Sequence, residues 1–132
     1  MNQLAVLETR KKSTVTRLTR NSKLFKAVIH AIQEKKGEHI VSLDLRKIPE
    51  AVADFFVICQ VDNHTQLKAI ADEIEYHVKQ TCQEAPFHEE GRAGLQWVLI
   101  DYVNIVVHVM LGETRKFYRL EEMWSDAPAM EH

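Results

Sequence analysis

This sequence has few of the residues that crosslink, break or bend a chain. Its 132 residues include two cysteines, three prolines and four glycines. Cys59 and Cys82 form no CxxC pair, which argues against the disulfide framework of small secreted domains and favours a reducing compartment. We therefore expect two free thiols in a cytoplasmic protein.

Long hydrophobic runs are also absent. No apolar stretch approaches the roughly 20 residues that a membrane-spanning helix needs. With 45% hydrophobic residues, the chain is long enough for one domain with a sizeable core and too short for two. We predict a single domain over residues 21–125 and a frayed tail over residues 126–132.

The net charge of −2 conceals an uneven distribution. Residues 1–20 carry five basic side chains against Glu8 alone, a charge of +4, which leaves −6 on the rest of the chain. This basic arm has two interpretations. The composition favours a disordered, solvated tail, and the alternative is a salt-sensitive contact with the phosphates of a nucleic acid.

The signatures of catalysis and metal binding are missing. The seven histidines form no HExxH and no other compact ligand group, and His108 lies within an apolar run, where a histidine is usually a hydrogen-bonded core residue. No glycine-rich phosphate loop or GxSxG elbow is present. Asp44, Asp54 and Asp101 remain the only candidates for a two-metal site. We predict no metal, no cofactor and no enzymatic activity.

The longest apolar runs and both tryptophans lie between Glu90 and Trp124. Trp97–Tyr102 and Ile105–Leu111 are separated by two residues, which predicts a β-hairpin buried on both faces. After Gly112 the pattern changes to a helical period in which three apolar side chains share one stripe, namely Phe117, Leu120 and Trp124. Tyr118 lies off that stripe and has no obvious place in the core.

Two helices and two further strands precede the hairpin. Helical periodicity spans Ser22–Lys36 and Asn63–Thr81, and the Asn63 side chain is placed to cap the second helix in a reciprocal pair with Gln66. The remaining extended segments are His39–Leu45, Phe55–Val61 and a short edge strand around Phe87–Glu89. This order predicts an α/β domain with a mixed sheet of four or five strands packed against helices.

Six segments together resemble the ribosomal silencing factor family, also called the Iojap family. They read ADFFVIC, NHTQLKAIAD, EEG, WVLIDY, IVVHVM and RKFYRLEEMW. The resemblance covers roughly residues 39–127 and most of the first helix. It implies a fold similar to that of nucleotidyltransferases without their catalytic signature, in agreement with the missing phosphate loop.

The resemblance also implies a function. Members of the family bind the large ribosomal subunit at its intersubunit face, through the ribosomal protein numbered fourteen. They prevent the small subunit from joining and so repress translation when nutrients are short. Two alternatives stay open, a nucleotidyltransferase-like metal-dependent enzyme and a ribosome assembly factor, and the sequence does not decide whether the protein forms a homodimer.

The family's partner-binding residues correspond here to Trp97, Tyr102 and Tyr118. Aromatic side chains of this kind are frequent hot spots of protein interfaces. Trp97 has a second interpretation, because the first residue of a buried strand often covers the core. The hairpin turn departs from the family's usual glycine: Val103 precedes Asn104, and a β-branched residue is a poor occupant of positive φ.

Overall fold

The computed structural model describes residues 18–132. Of the basic arm predicted at residues 1–20, residues 1–17 lie outside the described residues. Within the described part, no helix is long and apolar enough to cross a membrane. The elements in chain order are α1 (Lys23–Glu34), β1 (Glu38–Asp44), β2 (Phe55–Val61), α2 (His64–Cys82), β3 (His88–Glu90), β4 (Trp97–Asp101), β5 (Ile105–Leu111), α3 (Gly112–Tyr118), α4 (Leu120–Met123) and β6 (Ala129–Glu131).

The strands form one mixed sheet in the order β3-β4-β5-β2-β1-β6. Strands β2 and β5 are parallel and all other neighbours are antiparallel. Both are buried along almost their whole length, as central strands covered on both faces should be. The predicted mixed α/β architecture is confirmed, with six strands instead of four or five.

The sixth strand corrects the prediction that the tail frays. Ala129–Glu131 pairs antiparallel with β1, with Glu131 opposite Val41, and the backbone N–H of His132 donates to the carbonyl of Ile40 at 2.9 Å. The outer edge of β1 would otherwise present unpaired backbone groups, and the tail satisfies them. A three-residue strand carries too little periodicity to be recognised in a sequence.

Helices α1 and α2 lie side by side on the sheet and are joined at one end by Gln66. The predicted cap of α2 is confirmed, because the Asn63 side chain accepts the backbone N–H of Gln66 at 2.8 Å. Instead of returning the bond to Asn63, the Gln66 side chain donates to the carbonyl of Lys36 at 3.1 Å. This carbonyl lies just beyond the last turn of α1, where helix carbonyls lack intrahelical partners.

The sheet has two unlike faces. The helix face is the one covered by α1 and α2, whose apolar sides pack on Val57, Cys59 and Val107. The loop face is the opposite one, where Phe56 and Leu99 are covered by residues 45–53 and by single side chains from the region after β5. Each face therefore has its own core cluster, and only the helix face has continuous helical cover.

The helix predicted after Gly112 is interrupted. Arg119 adopts a left-handed conformation with φ of 49°, which ends α3 and begins α4. The change of direction brings Leu120 onto the loop-face core, where it is 1% exposed, while Phe117 remains 77% exposed. The prediction that Phe117, Leu120 and Trp124 share one buried stripe is therefore wrong for Phe117.

The hairpin between β4 and β5 turns within three residues. Val103 has φ of 75°, and the N–H of Asn104 donates to the carbonyl of Tyr102 at 3.0 Å, which is the pattern of a γ-turn with positive φ. The Asp101 carboxylate accepts the N–H of Val103 at 2.7 Å and so supports the turn. The conformation that disfavours a β-branched residue is thus the one that Val103 adopts.

Candidate partner-binding surface

Three aromatic side chains meet at the margin of the loop face. The ring of Tyr118 lies 4.8 Å from that of Trp97, and Phe117 lies edge-on to Tyr118 at 5.0 Å between centroids. Phe117 is 77% and Tyr118 43% exposed, so two of the three rings face solvent. We call these residues the aromatic patch. Contiguous exposed apolar groups of this kind mark interaction sites.

Trp97 forms the floor of the patch. It is 7% exposed, and its indole N–H donates to Nδ1 of His108 at 3.0 Å. Because Nδ1 accepts this bond, the neutral ring carries its proton on Nε2. Complete burial lowers the pKa of His108 to about 3, so the ring is neutral near pH 7. The prediction that His108 is a hydrogen-bonded core residue is confirmed, and it fixes the orientation of Trp97.

Tyr102 lies elsewhere, in the core under the helix face. It is 4% exposed, and its hydroxyl is buried with no hydrogen-bond partner among the described residues. Burial, together with the charges of Glu75 and Glu89, raises the pKa of that hydroxyl. The structure therefore brings Trp97 and Tyr118 together and separates Tyr102 from both. Tyr102 is thus buried and not exposed at the surface, because α2 packs against β4. Its correspondence to a partner-binding residue of the family stays a prediction.

Arg115 holds the helix that carries the patch. Its guanidinium donates to the carbonyl of His39 at 2.6 Å and to the side chain of Gln60 at 3.3 Å, and it pairs with Glu121 at 3.0 Å. These bonds join α3 to the ends of β1 and β2. A polar cleft of about 880 Å³ surrounds them, lined by charges of both signs that include Glu113, Lys116, Arg119 and Glu122.

Sequence reasoning missed Phe117 and Arg115. A signal for Phe117 existed, because two adjacent aromatic residues on a helix lie about 100° apart and a narrow stripe cannot bury both. Arg115 carried no such signal. Its partners His39 and Gln60 are far away in the sequence, and only the folded sheet brings them to α3.

The three acids considered as metal ligands each have a structural hydrogen bond. Within residues 18–132, no group of three or more His, Cys, Asp or Glu side chains is arranged to hold a metal ion. Pairing with Arg46 also lowers the pKa of Asp44. The partners are Arg46 for Asp44, the backbone of Leu18 and the side chain of Asn104 for Asp54, and the backbone of Val103 for Asp101. The absence of metal and cofactor stays a prediction.

Both cysteines are free thiols, as predicted. Cys59 is fully buried in β2, and burial raises the pKa of its thiol to about 12. Cys82 is half-buried at the end of α2, and burial beside Glu84 also raises its thiol pKa. A raised pKa leaves little thiolate at neutral pH, so neither residue is an activated nucleophile.

Comparison with known proteins gives concordant matches over nearly the whole described region. A family model described as "Ribosomal silencing factor during starvation" matches residues 19–132. A Halalkalibacterium halodurans protein named "Ribosomal silencing factor RsfS" is 38% identical over 114 residues, which cover 84% of this chain and 93% of the relative. A Bacillus subtilis protein of the same name is 36% identical, with coverage of 80% and 87%.

The fold has a counterpart among solved structures. A crystal structure of a Chromobacterium violaceum protein superposes with a TM-score of 0.73 at 30% sequence identity. The superposition covers 77% of this chain and 83% of that one. The similarity in sequence and the similarity in fold therefore concern the same domain.

Proposed function

The chain belongs to the ribosomal silencing factor family, and we propose that it binds the large ribosomal subunit and thereby silences translation. In this proposal the protein occupies the intersubunit face through contact with the ribosomal protein numbered fourteen. The small subunit cannot then join, and initiation stops. We expect this to happen in the cytoplasm under nutrient limitation, since starvation is part of the family's name.

The aromatic patch is the observation that carries the proposal. Phe117 and Tyr118 expose apolar rings that are not part of the protein's core, whereas other aromatic side chains of the chain are buried. Tyrosine and tryptophan are enriched among interface hot spots because they bury a large area and have few rotatable bonds. A partner that covers the patch would gain this area.

The floor of the patch is preorganised. The hydrogen bond to His108 fixes the Trp97 indole, and the indole in turn supports one side of Tyr118. Arg115 fixes α3 from the other side. Side chains that are already ordered lose little conformational entropy on binding, so more of the contact energy appears as affinity. The patch therefore suits a protein surface with an apolar recess.

The charged cleft beside the patch supplies a polar rim. Lys116, Arg119 and Glu122 are exposed there, where they can meet charges on the partner. Rim charges mainly affect association rate and orientation, while the buried centre of an interface carries most of the energy. Steric exclusion needs no catalytic group, and the same mechanism operates for a monomer and for a homodimer.

Subunit joining tests the proposal directly. Purified large and small subunits are mixed with and without saturating protein, and joined ribosomes are separated from free subunits on a sucrose gradient. We expect the protein to comigrate with the large subunit and to reduce the joined fraction. A Phe117→Ala, Tyr118→Ala protein should comigrate less with the large subunit than wild type and should reduce the joined fraction less. An unchanged joined fraction at saturating wild-type protein would contradict the proposed mechanism.

A further inference from the structure

A second surface lies at the other side of the molecule, between α1 and β6. It is a groove of about 320 Å³, and we call it the basic groove. Two cationic side chains, Arg20 and Lys26, and two imidazoles, His30 and His132, line it together with apolar atoms that include those of Met130. It belongs to the helix face, whereas the aromatic patch belongs to the loop face.

Within residues 18–132, no acidic side chain lines the groove. Glu131 lies between Met130 and His132, which both line it. Successive side chains of a strand point to opposite sides, so Glu131 faces away from the groove. The groove is thus a locally basic site on a body whose residues after position 20 carry a net charge of −6.

Arg20 is held in place by a hydrogen bond and an aromatic contact. Its Nε donates to the hydroxyl of Ser42 at 3.0 Å, and that hydroxyl also bonds Nε2 of His132 at 2.7 Å. The guanidinium carbon lies 5.2 Å from the centre of the Phe55 ring. One terminal nitrogen of Arg20 is buried and has no hydrogen-bond partner among the described residues. The guanidinium stays positively charged at any physiological pH, so Arg20 contributes a fixed positive charge to the lining of the groove.

The groove also continues the basic segment of the sequence. Arg20 is the last of five basic side chains between Arg10 and Arg20, with no acid among those residues. On α1 the exposed residues Lys23 and Lys26 follow it within two turns. Seven of the 17 Lys and Arg residues of the chain therefore fall between residues 10 and 26, against none of its Asp and Glu residues.

We propose that the basic groove binds the phosphodiester backbone of ribosomal RNA. This inference rests on the proposed function, since a protein that binds the large subunit meets a surface rich in RNA. Phosphate contacts from Arg, Lys and other N–H donors position a protein without reading sequence. The acidic remainder of the body disfavours RNA elsewhere, so the groove would orient the protein on the subunit while the aromatic patch contacts ribosomal protein.

The test uses charge reversal at two exposed positions, Lys26→Glu and His30→Glu in one chain. The matched control is Lys79→Glu, which is exposed on α2. His77 contacts His30, a lining residue of the groove, so the side of α2 that carries His77 faces the groove. Lys79 is two residues further along the helix, about 200° around its axis, and so lies on the side of α2 away from the groove. Binding of a fluorescent oligouridine and of isolated large subunits is measured over a series of salt concentrations, with polyglutamate as the acidic-peptide probe.

We expect the double variant to bind oligouridine more weakly than wild type. Its slope of log K against log salt should be shallower by about 0.7 for each phosphate that the groove no longer neutralises. Lys79→Glu should keep the wild-type slope. A double variant with the wild-type slope would overturn the proposal. A second outcome would also overturn it: wild-type protein binds polyglutamate, and the double variant loses this binding but keeps its oligouridine binding. The groove would then be a site for acidic protein.

The two proposals fail separately. If wild-type protein pellets with large subunits and the double variant keeps its salt slope, the groove proposal is wrong and the proposed function stands. If wild-type protein does not pellet with large subunits, the proposed function is wrong, and the oligouridine titration alone decides whether the groove binds RNA.

Discussion

The two faces of the sheet differ in how they are covered and in what they expose. On the helix face, α1 and α2 provide continuous cover, and residues such as Val57 and Val107 are completely buried. On the loop face, cover comes from residues 45–53, Leu120 and Trp124, and the same region leaves two aromatic rings of the patch in solvent. The sheet residues of both faces are buried, so the faces differ in the aromatic rings that only the loop-face region exposes, and these rings are the partner-binding surface we propose.

Truncating the floor of the patch should have the largest effect. Trp97→Ala removes a buried ring, leaves Nδ1 of His108 without its donor and removes the support of Tyr118. We expect a loss of about 3 to 5 kcal/mol in the free energy of unfolding, and weaker binding to large subunits by the molecules that remain folded. Denaturant unfolding and pelleting measure the two effects. Stability equal to wild type would show that the loop face tolerates loss of its floor.

A cavity under the helix face should affect stability alone. Ile70 in α2 is fully buried, and Ile70→Ala should lower the free energy of unfolding by about 2 to 5 kcal/mol. Ribosome affinity, corrected for the folded fraction, should equal that of wild type. A specific loss of affinity in folded Ile70→Ala protein would mean that the helix face contributes to the partner-binding surface.

Truncating an exposed ring of the aromatic patch should affect binding much more than stability. Tyr118→Ala should weaken binding by about 1 to 3 kcal/mol, roughly five- to 150-fold in Kd. Its effect on stability should be about 1 kcal/mol or less, the magnitude of one aromatic contact. Tyr76→Ala is the matched control, because Tyr76 is 64% exposed on α2. Equal affinities for the two variants would remove Tyr118 from the interface.

The family resemblance and the structure lead to different expectations for Tyr102. Tyr102→Phe removes a buried hydroxyl that has no partner among the described residues, so we expect stability to be unchanged or raised by up to about 1 kcal/mol. Affinity for large subunits should not change. Thermal melts and pelleting of this variant decide the point, and a tenfold loss of affinity would support Tyr102 as a partner-binding residue.

A further expected effect is on the pH dependence of stability. Burial and the neighbouring Glu89 raise the pKa of Glu75 to about 7, although Arg92 opposes the shift. The folded state therefore binds a proton that the unfolded state releases, so stability falls as pH rises between about 4.5 and about 7. Glu75→Gln should flatten this part of the profile in denaturant titrations. A wild-type slope in the variant would assign the dependence to other groups.

The parts of the fold that were predictable rest on local periodicity. Helices α1 and α2 and strands β2, β4 and β5 each have a period long enough to recognise, and the cap at Asn63 is formed by residues three apart. Strand β6 was not predictable, because it forms by pairing with the free edge of β1, which is distant in the sequence. The break at Arg119 was not predictable, because it depends on the packing of the following residues on the loop-face core.

The candidate site was predictable only in part, for a similar reason. The helical period placed Tyr118 off the core stripe, and the structure leaves it exposed. Trp97 and Tyr102 are five residues apart in the predicted strand, so alternation alone places them on opposite faces of the sheet. Alternation does not show, however, that the helix face is covered where Tyr102 lies, and this cover is what buries Tyr102.

One paired measurement tests the central claim that the aromatic patch at the margin of the loop face binds the large subunit. Phe117→Ala, Tyr118→Ala protein is compared with Tyr76→Ala, Phe87→Ala protein, which loses two rings that are 64% and 70% exposed outside the patch. Both are pelleted with isolated large subunits at the same salt concentration, beside thermal melts. We predict similar melting temperatures for the two proteins and at least a tenfold loss of affinity for the first only. Equal affinities would contradict the assignment of the aromatic patch as the partner-binding surface.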